Sequence, residues 1–278
     1  MSPPLIALLG GDRRQLACAH LLKAAGYRVT LRGIDNTAED DALLADCAAA
    51  VLPLPWGRGD LIHTPLWGGS LSISHMIAKL PSTCHVFAGR IDDALRRAVG
   101  ARPLHDYELY EPLAIAGAIA TAEGALAIAM HCLPCTLWQT PVAVLGFGRI
   151  GKLLAHRLRG LGADVIVLAR KDADRTWASA YGYRVCATTE LSKLSNVRVI
   201  FNTAPALLLP AEAVAVLPKN ALYLELASSS GIDVSAAQQR GIRIEPALGL
   251  PGKHAPETAG AALAQALQTL FAQEGILP

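Results

Sequence analysis

The stretch VAVLGFGRIG at residues 142–151 restricts what this chain can fold into more than any other. Apolar residues at the spacing of a buried strand run into Gly146, Gly148 and Gly151, a G-x-G-x-x-G triplet, and a helical pattern follows. In a strand-turn-helix unit the first glycine permits the tight turn and the second lets the backbone approach a pyrophosphate. The third lets the helix lie close on the strand, and the helix N-terminus faces the negative charge. Glycines at this spacing also occur as plain turn residues, so the flanking strand and helix are what give the triplet weight. The segment predicts a dinucleotide site formed by Gly146, Gly148, Arg149, Ile150 and Gly151.

That site begins halfway along a chain of 278 residues, long enough for two domains. The first third alternates strand and helix: LIALLGG, then RRQLACAHLLKAAG closed by Gly26, then YRVTLRG. AAAVLPLP reads as a third strand, and CHVFAG as a fourth after a helix at 74–80. Residues 103–110 read as a polar link, and Pro112 suits the first turn of a helix running to about His131. From Val142 six strand patterns follow: VAVLG, ADVIVLAR, YRVCAT, VRVIFNTAP, ALYLELAS and IRIEPAL. A last helix, PETAGAALAQALQTLFAQ, lies beyond the sixth strand. The expected fold class is α/β: two Rossmann-like, doubly wound parallel-sheet domains with a cleft between them, the C-terminal helix returning to the first. The expected divisions are 1–111 with 256–278, an interdomain helix at 112–134, and a dinucleotide domain at 135–255.

The end of the second strand of such a domain selects between the two nicotinamide dinucleotides. Here LARKDAD places Arg170 and Lys171 where a 2′-phosphate would lie, so NADP is expected, while Asp172 keeps NAD open. The carboxyl ends of the fourth and fifth strands should line the nicotinamide side with Asn202, Thr203, Ala204, Pro205, Ala227 and Ser228. Thr203 and Pro205 equally suit the closing of a strand.

Charge and cysteine usage exclude other classes. A net charge of +2 with dispersed Lys and Arg gives no nucleic-acid surface. The first ten residues lack a basic stretch before their apolar run, so they read as a strand rather than a signal peptide, and a cytoplasmic location is expected. Six cysteines fall within predicted elements and read as reduced thiols. Cys132 and Cys135 form one CxxC after His131 without a second ligand pair, so no metal is expected. Residues 112–133 are long and apolar, but their Ala content and internal glycines favour a helix buried between domains over a membrane span.

Four motifs spread over nearly the whole chain carry a family resemblance: GGDRRQL at 10–16, AIATAEGAL at 118–126, VAVLGFGRIG, and GLPGKHAPETAG at 249–260. With them the chain resembles the dehydrogenase-like (A-type) subunits of dipicolinate synthase. The resemblance implies NADP-dependent oxidation of a dihydrodipicolinate, formed from the cyclic intermediate of lysine biosynthesis, to the aromatic pyridine dicarboxylate. It also implies partnership with a flavoprotein-like B subunit, and the mother cell of a sporulating bacterium as setting. Assembly into a homo-oligomer is expected. The chain departs from the family pattern at Ser229, Ser230 and Gly231, where an Arg or other residue and then Pro-Gly-Gly are common. It also departs at Gly117 and Ala120, where the family has Asn and Pro.

A substrate with two carboxylates calls for fixed cations and donors. Arg14 matches the Arg of the family's GGD.R motif and is the first choice for a carboxylate clamp. The GLPG loop ending in Gly252 offers backbone N–H groups or a hinge, with Lys253, Thr258 and Ser228 as further candidates. Glu123 stands in the interdomain helix as a base or as a buried brace, and the bracing role is favoured. His254 sits where 2-hydroxy-acid dehydrogenases carry a catalytic His, though the dipicolinate family has an apolar residue there. Two other readings stay open: a D-2-hydroxy-acid dehydrogenase-like oxidoreductase, and a non-catalytic NADP-binding regulatory subunit.

Overall fold

The computed structural model describes residues 2–34 and 41–278. In chain order, β1 (Leu5–Leu9) leads into α1 (Arg13–Ala24) and β2 (Arg28–Arg32). Then come β3 (Cys47–Val51), the short hairpin of β4 (Gly57–Arg58) and β5 (Leu61–Ile62), and α2 (Ile73–Lys79). β6 (His85–Ala88), α3 (Asp93–Val99) and β7 (Leu104–Asp106) complete this half. Every residue of β1 is buried, as a strand covered on both sheet faces requires. The sheet is wholly parallel in the order β2-β1-β3-β6-β7, so the order reverses beside β1. In open α/β sheets that reversal opens a crevice at the carboxyl ends of the flanking strands, here β1 and β3.

Residues 103–110 are more than a polar link: Leu104–Asp106 joins the sheet as its edge strand, pairing among the described residues with β6. The hairpin and α3 also stand outside the elements read from the sequence.

A long helix, α4 (Glu111–Cys132), follows. It is long and apolar enough to cross a membrane by composition. From residue 118 onward, however, Ala122, Ala125, Leu126 and Ala129 belong to the core of the second half. β8 (Pro141–Leu145), α5 (Arg149–Gly160), β9 (Asp164–Leu168), α6 (Asp172–Ala180) and β10 (Arg184–Cys186) come next. β11 (Val199–Asn202), α7 (Ala211–Val216), β12 (Leu222–Glu225), α8 (Val234–Arg240) and β13 (Arg243–Pro246) finish the second sheet, β10-β9-β8-β11-β12-β13, again all parallel. This is the strand order of the doubly wound dinucleotide fold, with its switch point between β8 and β11.

GLPG differs from expectation. It is not an open loop, because α9 (Leu250–His254) winds Pro251 and Gly252 into a helix directly after Gly249, whose φ is +69°. Proline is tolerated in a first helical turn, where its missing N–H would have no partner anyway. The last helix, α10 (Pro256–Gln273), returns to α1. Gly260 lies so close to the Arg14 carbonyl and Ala17 that no side chain would fit, and Leu263, Leu267 and Phe271 join Ile6, Leu8 and Phe87 in one core. Two compact units result, 1–117 with 251–278, and 118–250.

Candidate functional site

The glycine turn divides its work by geometry. Gly146 has φ +92°, which a side chain tolerates poorly, and a Cβ there would stand 2.7 Å from Thr203 Oγ1. Gly151 packs so tightly that a methyl would overlap the Gly146 carbonyl oxygen. Gly148, in contrast, would meet nothing within 4 Å, so its missing side chain keeps space open rather than filling it. Phe147 points the other way and is buried in the core. Gly148 caps α5 without a side-chain hydrogen bond, leaving the first-turn N–H groups to an outside acceptor. Arg149 is exposed beside them, and Ile150 packs on the core. Leu154, Ala155 and Leu158, on the same stripe as Gly151, fix the helix on the sheet. An open backbone cradle at an uncapped helix N-terminus fits a pyrophosphate.

At the end of β9, Arg170 and Lys171 are exposed, and their side chains have no hydrogen-bond or ion-pair partner among the described residues. Asp172 is paired with Arg175, whose guanidinium also donates to the carbonyls of Ala169 and Arg170, both at 2.7 Å. The local acid is thus matched by a cation of its own helix. The strand end presents net positive charge.

The ends of β11 and β12 are tied by a carboxylate that the sequence reading passed over. Glu225 Oε1 accepts from Asn202 Nδ2 at 2.6 Å and from the Ala227 N–H at 3.0 Å. Its Oε2 accepts from Tyr223 Oη and the Gly231 N–H, both at 2.9 Å. Burial pushes the Tyr223 phenol upward, so it stays a donor. Asn202 therefore corrects one expectation: its side chain does not line a ligand surface but is fully buried, holding Glu225 and the turn at Ala204. Gly231 must be glycine here because a Cβ would strike the Asn202 amide. Thr203 donates to the Leu145 carbonyl at 2.8 Å and closes over Gly146, joining the two strands at the switch point. Ala204 is half-buried, Pro205 and Ser228 are exposed, and Ala227 is buried.

In the first unit Arg14 follows the turn after β1, at that sheet's own switch point. Its Nε donates to Asp12 Oδ1 at 2.9 Å, and its Nη2 donates to Asp12 Oδ2 at 2.9 Å and to the Leu54 carbonyl beyond β3 at 2.8 Å. Nη1 has no partner among the described residues, which leaves its two N–H donors. Asp12 also caps α1, with Gln15 returning the bond to the Asp12 N–H. Gly252 is buried against Asp12, whose carboxylate occupies the place of a Cβ. Arg14 and Gly252 therefore meet through Asp12. Lys253, His254 and Thr258 are exposed.

Glu123 is not buried: its side chain is 59% exposed and pairs with Arg157 of α5 at 3.0 Å. It braces α4 to the dinucleotide helix. Asp12 and Glu225 had faint signals in the sequence, a D-x-x-Q capping pattern and a lone acid closing an apolar strand.

Residues 5–110 match the family described as the N-terminal domain of the dipicolinate synthase A-subunit, and residues 123–233 match the NAD binding domain of D-isomer specific 2-hydroxyacid dehydrogenases. The second match makes the chain an oxidoreductase with a nicotinamide dinucleotide site. The dipicolinate synthase A-subunit of Bacillus subtilis (strain 168) is 29% identical, with 96% of each chain covered. The crystal structure of the corresponding protein from Bacillus halodurans superposes with TM-score 0.88 at 30% identity, covering 98% of this chain and 99% of that one. The crystal structure of the Bacillus subtilis protein gives TM-score 0.87 at 28% identity over 98% and 97%.

Proposed function

The chain belongs to the dipicolinate synthase A-subunit family, and from that premise we propose that it oxidises dihydrodipicolinate to dipicolinate with NADP. The observation that carries the reading is the open, uncapped cradle at Gly148, followed one strand later by two cations without partners among the described residues. The backbone at residues 148–151 would hold the pyrophosphate, and Arg170 with Lys171 would hold the 2′-phosphate. When bound, the nicotinamide supplies a hydride acceptor. The other proton of the substrate ring passes to water, and aromatisation favours the step without a strong protein base.

Thr203, Ala204, Pro205, Ala227 and Ser228 belong to the loops that Glu225 fixes, and these would form the nicotinamide side. Arg14, oriented by Asp12, would offer its Nη1 donors to one substrate carboxylate, with Lys253 and Thr258 as further polar contacts. Glu123 takes the bracing role, since its carboxylate is spent on Arg157. All six cysteines are free, which suits work in a reducing compartment such as the cytoplasm. The partner in this reading is the B subunit.

The test mixes the purified chain with freshly generated dihydrodipicolinate and either NADP or NAD, with and without the B subunit. Reduced nicotinamide and pyridine dicarboxylate are followed by their absorbance. Dicarboxylate should form with NADP favoured. Replacing Arg170 and Lys171 with Ala should raise the NADP KM roughly 10–100-fold, as loss of a charged hydrogen bond worth about 1.5–3 kcal/mol implies, and leave NAD little changed. NADP binding without turnover in any mixture would move the chain to the regulatory reading.

A further inference from the structure

Three potential ligands meet in the first unit, none of them given a role above. His85 opens β6, His105 sits in β7 opposite Phe87, and Glu274 follows the last turn of α10. His85 Nδ1 and His105 Nε2 are 3.0 Å apart. Glu274 brings Oε2 to 3.7 Å from His85 Nδ1 and Oε1 to 3.6 Å from His105 Nδ1. One atom from each residue can be chosen so that all lie within 4.8 Å of one another. The side chains are only 22%, 23% and 35% exposed. His85 stands at the amino end of its strand, whereas Arg14 follows the carboxyl end of β1, so the cluster is separate from the proposed substrate contacts.

We propose that His85, His105 and Glu274 form a binding site for a divalent transition-metal ion of the zinc class, which fastens the end of α10 to β6 and β7. Ligand atoms about 2.0–2.1 Å from a tetrahedral zinc lie roughly 3.3 Å from one another. The 3.0 Å nitrogen pair uses His105 Nε2 and the 3.6 Å carboxylate contact uses His105 Nδ1, so a set with one atom from each residue holds only one of these two spacings. Small side-chain rotations within its 4.8 Å limit would bring it to the metal-bound value. Two imidazoles and one carboxylate form a recurrent donor set for such ions, with room left for water. The supports are rigid: Phe87 stacks on His105 at 4.5 Å and meets Phe271 edge-on at 4.9 Å. The carboxyl end of α10, an 18-residue helix, adds negative potential where the ion would sit. No spacing in the sequence announces this set, because its members come from three distant elements.

Without an ion, the short nitrogen-to-nitrogen contact needs one shared proton, and that is the competing arrangement. The two separate cleanly in a full-length chain carrying Cys132→Ser and Cys135→Ser, so that no thiolate captures the ion. After dialysis against a chelator, this chain is titrated with Co2+ followed by visible absorption and with Zn2+ by calorimetry. One ion per chain, a nitrogen-oxygen cobalt spectrum and a raised thermal midpoint are expected. His105→Ala should weaken binding by more than the roughly 10–100-fold that loss of an outer partner costs. Glu274→Gln, at a partly exposed helix end, should weaken it while leaving the fold and NADP binding intact. Failure to take up either ion, or uptake unchanged in both variants, would overturn the site and leave the shared proton as the explanation.

Discussion

The three glycines of the turn carry different physical burdens, and single methyl groups should tell them apart. At Gly151 a methyl meets the Gly146 carbonyl, which is backbone and cannot swing away, so Gly151→Ala must push α5 off the sheet. Overpacking of this kind costs about 1–3 kcal/mol. At Gly148 a methyl meets no protein atom, and φ −80° is ordinary for alanine. Gly148→Ala should therefore unfold at nearly the wild-type urea concentration yet lose most of its NADP affinity, while Gly151→Ala should lose stability first. Equal destabilisation of both variants in urea melts would show that the open space at Gly148 is not reserved for a ligand. The spacing alone made the triplet legible, because each constraint is local to one turn. Arg14 was legible as a cation after the first strand, but its bidentate bond to Asp12 and the packing of Gly252 on that carboxylate were not. The first is a side-chain geometry between residues two positions apart, and the second joins residues 240 positions apart, so no sequence pattern marks either.

Among the elements, long apolar strands and helices could be read from their periods, and short or polar ones could not. β7 is three residues long and includes His105 and Asp106 at a sheet edge, so neither length nor alternation marks it as a strand. In α9, Pro251 and Gly252 carry the marks of a loop and still wind into a helix. The ends of β11 and β12 posed a third difficulty, because a strand pattern predicts where a side chain falls but not what bonds it. Asn202 falls at the expected strand end, yet its amide turns inward to Glu225. The Glu225 carboxylate accepts from four donors, and an amide in its place has only one acceptor oxygen. Glu225→Gln must leave at least one buried donor unmet, at about 1–3 kcal/mol. Tyr223→Phe, which removes one donor rather than an acceptor, should cost only about 0.5–1.5 kcal/mol. Urea denaturation of the two variants checks the order, and a Tyr223→Phe loss equal to that of Glu225→Gln would contradict the network as drawn.

At the scale of the whole molecule, the cysteines report on each unit separately. Cys18, Cys47 and Cys84 are buried in the first unit and Cys186 in the second. Burial pushes their thiols up, to about 12, 11, 12 and 11 respectively, so they react only when the structure around them opens. Cys135 is exposed and Cys132 half-buried. Alkylation of the native chain at mildly alkaline pH should mark these two first, Cys135 the faster, as read by peptide mass spectrometry. Along a urea gradient the buried four then become clocks for their own cores. A ligand that binds only the folded state stabilises it by about 2.7 kcal/mol at 100 times its Kd. Because the glycine turn, Arg170 and Lys171 all belong to residues 118–250, saturating NADP should move labelling of Cys186 to higher urea. Protection of Cys18, Cys47 and Cys84 with Cys186 unmoved would place the dinucleotide in the first unit and remove the physical basis for the NADP-linked reading. Protection of Cys186 by NADP exceeding that by NAD at equal concentration would tie the preference to the two cations at the end of β9, and the effect should vanish when both are replaced by alanine.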